Sequence, residues 1–442
     1  MTADIPHNPH VEMVPRTSLK PNSRNARTHT KKQISQIAAS IRKFGFVVPI
    51  VIDDEGNIVA GHGRWEAAAE LGLTDVPVIR VCFLTDADRR AFAIAENRIA
   101  ELSGWDETLL TEELRFLLDD GFELEITGFS TNDLDFALVD EAPAFEPEMV
   151  ELPDPSKDAV SRPGDLWHIG PHHRLYCGDS RKVASFETLL GDEQATLVFA
   201  DPPYNVPIDG HVSGNGRIYH REFEMASGEM TPAEFTHFLR AVFRLCARFS
   251  IDGSIHYQCM DWRHLREILD AADGVYTQFK QLLVWNKRNA GQGAFYRSQH
   301  ELVLVFKSGR AKHINNFGLG ETGRYRTNVL DYPGANGFYR GRARDLADHA
   351  TIKSTALVAD LLLDCSNRGD LVLDPFAGSG TTLLAAHHTG RRGAAIEIDP
   401  LYVDTAIRRL ADASGLVAVH SDGRTFDEVA DDRLSMPDAL HG

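Results

Sequence analysis

LVFADPPYN at residues 197–205 and LVLDPFAGSGTT at residues 371–382 decide how this 442-residue chain folds. Each is a short apolar run bounded by turn residues, the pattern of a buried strand. In the first, Pro202 and Pro203 end the strand and stiffen the loop. In the second, Gly378 and Gly380 let the backbone approach a ligand, and Thr381 and Thr382 open the helix TTLLAAHHTG.

Around these two strings, strands alternate with helices. ATLVFA, GSIHYQ, FKQLLVWN, ELVLVFK, DLVLDPF and GAAIEID read as strands, while PAEFTHFLRAVFRLCARF, TALVADLLLDCS and PLYVDTAIRRLADAS read as helices. The alternation predicts a mostly parallel, doubly wound sheet covered on both faces. Upstream, KKQISQIAASIRKFG has helical periodicity ending at Gly45. FVVPIVIDDEGNIVAGHGRWEAAAELG then gives strand, turn, strand, glycine turn and helix, a smaller α/β module over residues 10–100. Two amphipathic helices, RRAFAIAENRIAE and ETLLTEELRFLLDDG, carry the chain into a helical extension at 101–140. The acidic, proline-rich segment at 141–161 reads as a linker, and the main domain spans 162–420. Residues 288–348, rich in Gly, Asn, Arg and Tyr, read as a ligand-touching excursion, and residues 421–442 as a frayed tail.

The net charge of −18 is unevenly spread. Residues 101–160 carry 18 acidic and 2 basic side chains, whereas 16–43 carry eight Lys or Arg and no acid, and 285–344 carry eleven basic against three acidic. Two basic stretches on either side of an acidic spacer suit phosphate contacts, and so duplex DNA as partner. The five cysteines have no CxxC spacing and no paired histidine, so neither a metal site nor a disulfide framework is expected. With no Pro-Cys pair there is no nucleophile for a covalent attack on a cytosine ring. No run of 18 apolar residues and no export signal appear at the start of the chain, which points to the cytoplasm.

The chemistry follows from the two loops. An exocyclic amine donates two hydrogen bonds, and the Asp201 carboxylate with the Pro202 carbonyl can accept both, holding the nitrogen lone pair toward an electrophile. Tyr204 offers a face for stacking a base taken out of the helix. Glu397, at the end of the strand after the glycine turn, is placed to accept the hydroxyls of a ribose. A GxGxxG dinucleotide fingerprint and a Walker lysine are both lacking.

In these residues the chain resembles the amino-methylating DNA methyltransferases, which move a methyl group from S-adenosylmethionine to adenine N6 or cytosine N4. Asp201-Pro202-Pro203-Tyr204 resembles their catalytic motif and FAGSG their cofactor motif. The resemblance thus implies a Rossmann-like fold with Asp374, Phe376, Gly378, Gly380, Thr381 and Glu397 about S-adenosylmethionine. Asp179 in YCGDS resembles the acid beside the cofactor's adenine. DPPY before FAGSG is the family's beta order, which implies target recognition at about 288–348. His349-Ala350-Thr351-Ile352-Lys353-Ser354 stands where many relatives have His-Pro-Thr-x-Lys-Pro. The match keeps Lys353 as a cofactor-side residue but implies a looser lid.

Asp at the first catalytic position favours adenine N6, with direct displacement on a flipped base. Cytosine N4 is an alternative, as are an amine or amide of RNA or protein, and a DNA-binding clamp with a degenerate methyltransferase half. The amino-terminal module resembles a ParB-like domain, in which Gly61, His62, Gly63 and Arg64 form a turn for a phosphate of DNA or a nucleotide. The likeness also implies a homodimer, association with the nucleoid, and a restriction-modification or mobile-element setting.

Overall fold

The computed structural model describes residues 10–82, 85–129, 133, 135, 153, 156–205, 228–287, 295–317, 326–332 and 353–434. The chain divides into two compact units, residues 1–141 and 142–442.

In the first unit, strands β1 (Val11–Pro15), β2 (Ile50–Ile52), β3 (Ile58–Ala60) and β4 (Asp75–Arg80) form one sheet in the order β1-β4-β2-β3. Helix α1 (Lys31–Phe44) starts on the Thr30 hydroxyl, which accepts the Gln33 amide, and stops at Gly45 with φ of 84°. It packs through Ile34 and Ala38 on Ala67 of helix α2 (His62–Glu70). Ile50, Ile52, Ile58, Val76 and Val78 fill the core beneath. Helices α3 (Asp86–Ala100) and α4 (Glu107–Asp119) follow, the second capped by Asp106. The amphipathic expectation fails for α3, none of whose side chains is buried, and Ile94 and Ile99 face outward.

The second unit is a sheet of ten described strands flanked by helices. In chain order its elements are β5 (Leu166–Ile169), β6 (His173–Cys177), α5 (Val183–Leu190), β7 (Ala195–Ala200), α6 (Pro232–Arg248), β8 (Ser250–Met260), α7 (Leu265–Ala272), β9 (Gln278–Asn286) and β10 (His300–Lys307). There follow β11 (Val329–Asp331), α8 (Thr355–Cys365), β12 (Leu371–Asp374), α9 (Thr381–His388), β13 (Arg392–Glu397), α10 (Pro400–Ser414), β14 (Ala418–His420) and α11 (Phe426–Leu434). The spatial order is β11-β9-β10-β8-β7-β12-β13-β6-β5-β14.

The five central strands, β8, β7, β12, β13 and β6, run parallel. Both flanks include antiparallel pairs, β8-β10-β9 on one side and β6-β5-β14 on the other. The sheet is therefore α/β and doubly wound, but mixed. The β5-β6 and β9-β10 pairs are consecutive in the chain and joined by connections with no described helix, so no crossover imposes the parallel direction there. Helix α8 packs on one face, where Leu357, Val358, Leu361 and Leu362 join Phe199, Tyr257 and Val303. Helix α6 packs on the other, anchored by Phe235, Leu239 and Phe243. A capping box of Thr231 and Glu234, with Pro232 in the first turn, fixes where α6 begins.

Three expectations are corrected. The excursion expected at 288–348 contains β10 and β11, which are strands of the sheet; residues 288–294, 318–325 and 333–348 lie outside the described residues. The tail is not frayed up to residue 434, because α11 buries Phe426 and Val429 against Trp167. The end of the expected linker is already part of the second unit, where the Val160 and Ser161 amides donate to the buried Asp404 carboxylate at 2.7 and 2.9 Å. Among the described residues no helix is long and apolar enough to cross a membrane.

Candidate active site

Four neighbouring parallel strands, β7, β12, β13 and β6, each end in a loop carrying an acidic residue: Asp201, Asp374, Glu397 and Asp179. Parallel direction puts all four loops on one edge, the carboxyl edge, where such sheets bind ligands. The sites expected from sequence are thus adjacent because their strands are adjacent.

At the β13 end, Glu397 Oε2 accepts the Gly378 amide at 2.7 Å and Oε1 accepts the Asp399 amide at 2.9 Å. This clamps the glycine turn to the next strand. Burial nevertheless pushes the Glu397 carboxyl up to about 7, against the pull of these amides. Asp374 behaves alike. Burial raises it to about 7, although the Thr382 hydroxyl and the Phe376 amide, at 2.8 Å, donate to it.

In the turn itself Gly378 has φ of 50° and Gly380 φ of 82°. A Cβ on Gly380 would stand 2.9 Å from the Ala406 Cβ, so α10 needs glycine there; above Gly378 there is open space. Phe376 closes the turn on one side against Phe238, with ring centroids 6.0 Å apart. Thr381 and Thr382 are buried at the start of α9. Asp179 is held by Arg181 through Nε to Oδ1 at 3.0 Å and Nη2 to Oδ2 at 2.9 Å. Burial opposes its ionisation, but this grip prevails and its carboxyl lies below the ordinary value.

The Asp201 corner is more crowded than the sequence suggests. Tyr204 donates its hydroxyl to Asp201 Oδ1 at 2.7 Å, and Lys353 Nζ stands 2.9 Å from Asp201 Oδ2. Lys353 also donates to the Tyr204 hydroxyl at 2.9 Å and reaches Glu301 Oε2 at 2.6 Å. The structure therefore puts Lys353, expected beside the cofactor, in the amine corner. Burial alone would lower its ammonium, yet Asp201 and Glu301 hold it well above the ordinary range. Burial raises the Tyr204 hydroxyl, as do Asp201 and Glu301, so it stays protonated. Pro202 is buried and Pro203 half-buried beneath the loop. His349 and Thr351 lie outside the described residues.

Three further residues belong to the site although sequence reasoning gave them no role. Glu301 is the one carboxylate of β10, next to the apolar run at residues 302–306, a visible oddity. Asn205 directly follows the DPPY loop and is the described non-glycine residue with a left-handed backbone, φ of 53°. Its side chain accepts the Gly228 and Met230 amides at 3.1 Å and donates to the Met230 carbonyl at 2.8 Å. Arg409 on α10 donates to the Thr381 hydroxyl at 2.9 Å, to the Ser379 carbonyl at 3.2 Å and to the Thr355 hydroxyl at 3.1 Å. It ties the glycine turn to the helix that follows Lys353, and within Arg408-Arg409 nothing in the sequence separates it from a surface arginine.

In the first unit, Gly61 has φ of 97° and begins α2. A Cβ there would meet the Arg64 guanidinium at 2.9 Å, and one on Gly63 would meet Ile37 and His29 at 3.0 and 3.1 Å. His62 Nε2 accepts the Asn22 amide at 3.1 Å; burial, aided by His29, lowers its imidazole. Arg64 Nε is buried and has no hydrogen-bond partner among the described residues.

Residues 195–408 match the DNA methylase family, 2–98 the ParB N-terminal domain and 108–163 the ParB-methyltransferase HTH domain. The DNA adenine methyltransferase YhdJ of Escherichia coli is 30% identical over 246 residues, which cover 50% of this chain and 78% of YhdJ. The type II methyltransferase M.HpaI of Haemophilus parainfluenzae is 27% identical over 251 residues, 54% of this chain and 74% of M.HpaI. The ParB-like nuclease domain-containing protein YnaK of Escherichia coli is 45% identical over 76 residues, 17% of this chain and 87% of YnaK. Among solved structures, the cytosine-N4-specific PvuII DNA methyltransferase matches 62% of this chain and 94% of its own at 14% identity and a TM-score of 0.43. The chain belongs to the DNA methyltransferases that act on adenine N6 or cytosine N4, and it carries a ParB-like domain at its amino terminus.

Proposed function

We propose that the protein transfers a methyl group from S-adenosylmethionine to the exocyclic amine of a base in duplex DNA, adenine N6 being the target. The observation that carries this reading is the single edge on which Asp201, Asp374, Glu397 and Asp179 stand beside an open glycine turn.

The cradle suits this cofactor. Asp374 and Glu397 have their carboxyls raised by burial, and no basic group stands among the causes of either shift. Such a cradle favours a ligand bearing positive charge and hydroxyl donors, and disfavours a polyphosphate. Glu397 would hold ribose hydroxyls, Asp179 the adenine side, and the Gly378–Gly380 turn the amino acid end. When bound, the cofactor supplies a sulfonium methyl, an activated donor.

The chain's own part is orientation. Asp201 accepts the target amine, Tyr204 supplies an aromatic face, and the buried Lys353 holds the Asp201 carboxyl in place through its Oδ2 at 2.9 Å. Fixing two reactants in this way lowers the barrier by up to roughly 7–11 kcal/mol. No group of the chain need become covalently attached to the base. Acting on DNA, the protein would work in the bacterial cytoplasm beside the nucleoid, in a modification or mobile-element setting.

For the amino-terminal turn a second reading applies. The unpartnered Arg64 Nε beside the start of α2 favours an anionic ligand, a phosphate of DNA or of a nucleotide.

The test is to incubate the protein with labelled S-adenosylmethionine and unmodified genomic DNA, then digest to nucleosides. Labelled N6-methyl-2′-deoxyadenosine, absent with Asp201→Ala, is expected. N4-methyl-2′-deoxycytidine would move the target to cytosine. No labelled nucleoside from any duplex DNA would overturn the reading.

A further inference from the structure

Behind the amine corner lies a carboxylate that the reaction described above does not use. Glu301, second residue of β10, lies opposite Trp285 of β9. Its Oε1 accepts from Lys287 Nζ, and its Oε2 lies 2.6 Å from Lys353 Nζ and 3.3 Å from the Tyr204 hydroxyl oxygen. The Lys353 ammonium, only 7% exposed, is thus divided between two carboxylates on different strands. It also lies over the Tyr204 and Trp285 rings, 5.2 and 5.6 Å from their centroids.

A buried ammonium whose sole ionic partner is one aspartate cancels that acid's charge in full. Asp201 would then be a poor acceptor for an amine whose nitrogen becomes positive as it is methylated. A second carboxylate, itself balanced by Lys287, prevents that. The four groups sum to zero, and the ammonium is held at a point between the acids.

We propose that Glu301 is a positioning residue: it shares the Lys353 ammonium that touches Asp201 Oδ2 at 2.9 Å, so that Asp201 is not fully neutralised by it and can accept the exocyclic amine of the target base. This rests on the function proposed above. The groups facing Lys353 are Asp201 and Tyr204 from the loop after β7, Cys259 from β8, Trp285 from β9 and Glu301 from β10. Burial keeps the Cys259 thiol and the Tyr204 hydroxyl protonated, which leaves the carboxyl groups of Asp201 and Glu301 as the acidic partners of Lys353 among the described residues. Burial works against Glu301 as an anion, but Lys353 and Lys287 bring its carboxyl down to about 2.

Glu301→Gln and Glu301→Asp test this in the full-length protein, by three measurements. These are methyl transfer to DNA against pH, the equilibrium affinity for S-adenosylhomocysteine, and the acetylation rate of Lys353 by acetic anhydride read by mass spectrometry. Expected for Glu301→Gln are a kcat lower by about tenfold or more and an unchanged S-adenosylhomocysteine affinity. The basic limb of the pH profile and the onset of Lys353 acetylation should both move to lower pH, and Glu301→Asp should recover part of each.

Wild-type kcat and wild-type Lys353 reactivity in Glu301→Gln would overturn the inference. So would equal loss of S-adenosylhomocysteine binding in both variants, which marks a mere brace. Should the wild-type protein methylate no DNA, the functional reading fails by itself. The Lys353 acetylation still decides: a shifted onset supports the positioning role and an unmoved one overturns it.

Discussion

Glu397 Oε2 accepts the Gly378 amide at 2.7 Å, so the acid expected to bind a ribose also clamps the glycine turn. Burial leaves that carboxyl and its neighbour Asp374 each near 7, above the 4.5 and 3.8 of the free groups. Below about pH 4 both are protonated in folded and unfolded chains alike. Between about 4 and 7 the folded chain retains protons that the unfolded chain has lost, so stability falls as pH rises and the full penalty stands above 7. A ligand whose hydroxyls and positive charge favour the ionised acids relieves it. S-adenosylmethionine should therefore bind more tightly at pH 8 than at pH 6 and release protons on binding. Calorimetry in two buffers of different ionisation enthalpy measures this, and proton uptake would contradict it.

Loss of the Glu397 charge should weaken cofactor binding. Hydrogen bonds to charged groups contribute about 1.5–3 kcal/mol each, so Glu397→Gln should lose roughly tenfold to a hundredfold in affinity. Above pH 7 the stability of the variant should change little, because loss of the buried charge is offset by loss of one of the two backbone amides that the carboxylate accepts. Equal affinity for S-adenosylhomocysteine in the two proteins would show that Glu397 serves only the turn.

Asn205 joins the Tyr204 loop to residues 228–230 while adopting a left-handed backbone. Asparagine tolerates that conformation, whereas alanine costs about 1–2 kcal/mol there, and glycine is free of the strain. Asn205→Gly should lose only the side-chain hydrogen bonds, and Asn205→Ala should be less stable still. Both should lower kcat, because the residue next to Tyr204 is no longer pinned. Denaturant unfolding and kcat together check this; equal stability of the Ala and Gly variants would remove the strain argument.

Arg409 spans the glycine turn and the start of α8 with a planar fork of donors, which a lysine cannot reproduce. Arg409→Lys should raise the KM for S-adenosylmethionine more than it lowers kcat. An unchanged KM would leave Arg409 as a brace of α10 alone.

How far the sequence spoke depended on range. The parallel core was legible because β7 and β12 are continuous apolar runs ending in turn residues, and the glycine turn because φ above zero selects glycine at Gly378 and Gly380. Asp201 and Glu397 were legible through their place at strand ends. Of the antiparallel flanks, β9 and β10 were legible as strands but not their direction, while Leu166–Ile169 and Ala418–His420, only four and three residues long, were not legible at all. Glu301 and Lys353 illustrate the larger limit. Glu301 is visible as an acid beside an apolar run and Lys353 through the resemblance, but that Lys353 is shared between Glu301 and Asp201 is not, because pairing across that distance leaves no local trace.

The tail makes the same point in energetic terms. Residues 426–434 read as polar and frayed, with acids at Asp427, Glu428, Asp431 and Asp432, yet Phe426 and Val429 are buried, and Phe426 lies 5.3 Å from Trp167 between ring centroids. Arg433 donates to the Val160 carbonyl at 2.7 Å and pairs with Asp165. Burying a Val or Phe side chain contributes about 1.5–3 kcal/mol, so a chain ending at Gly423 should lose roughly 3–6 kcal/mol of stability in the second unit. Arg433→Ala isolates the polar part. Burial opposes ionisation of Asp165, but Arg433 outweighs it and depresses the carboxyl. The stability this pair contributes is present above the ordinary aspartate range and is lost as pH falls through it. The difference between wild type and Arg433→Ala should therefore be full at pH 7 and shrink below about pH 4. Thermal unfolding of both proteins across that range measures it, and a difference independent of pH would assign the role of Arg433 to its Val160 contact instead.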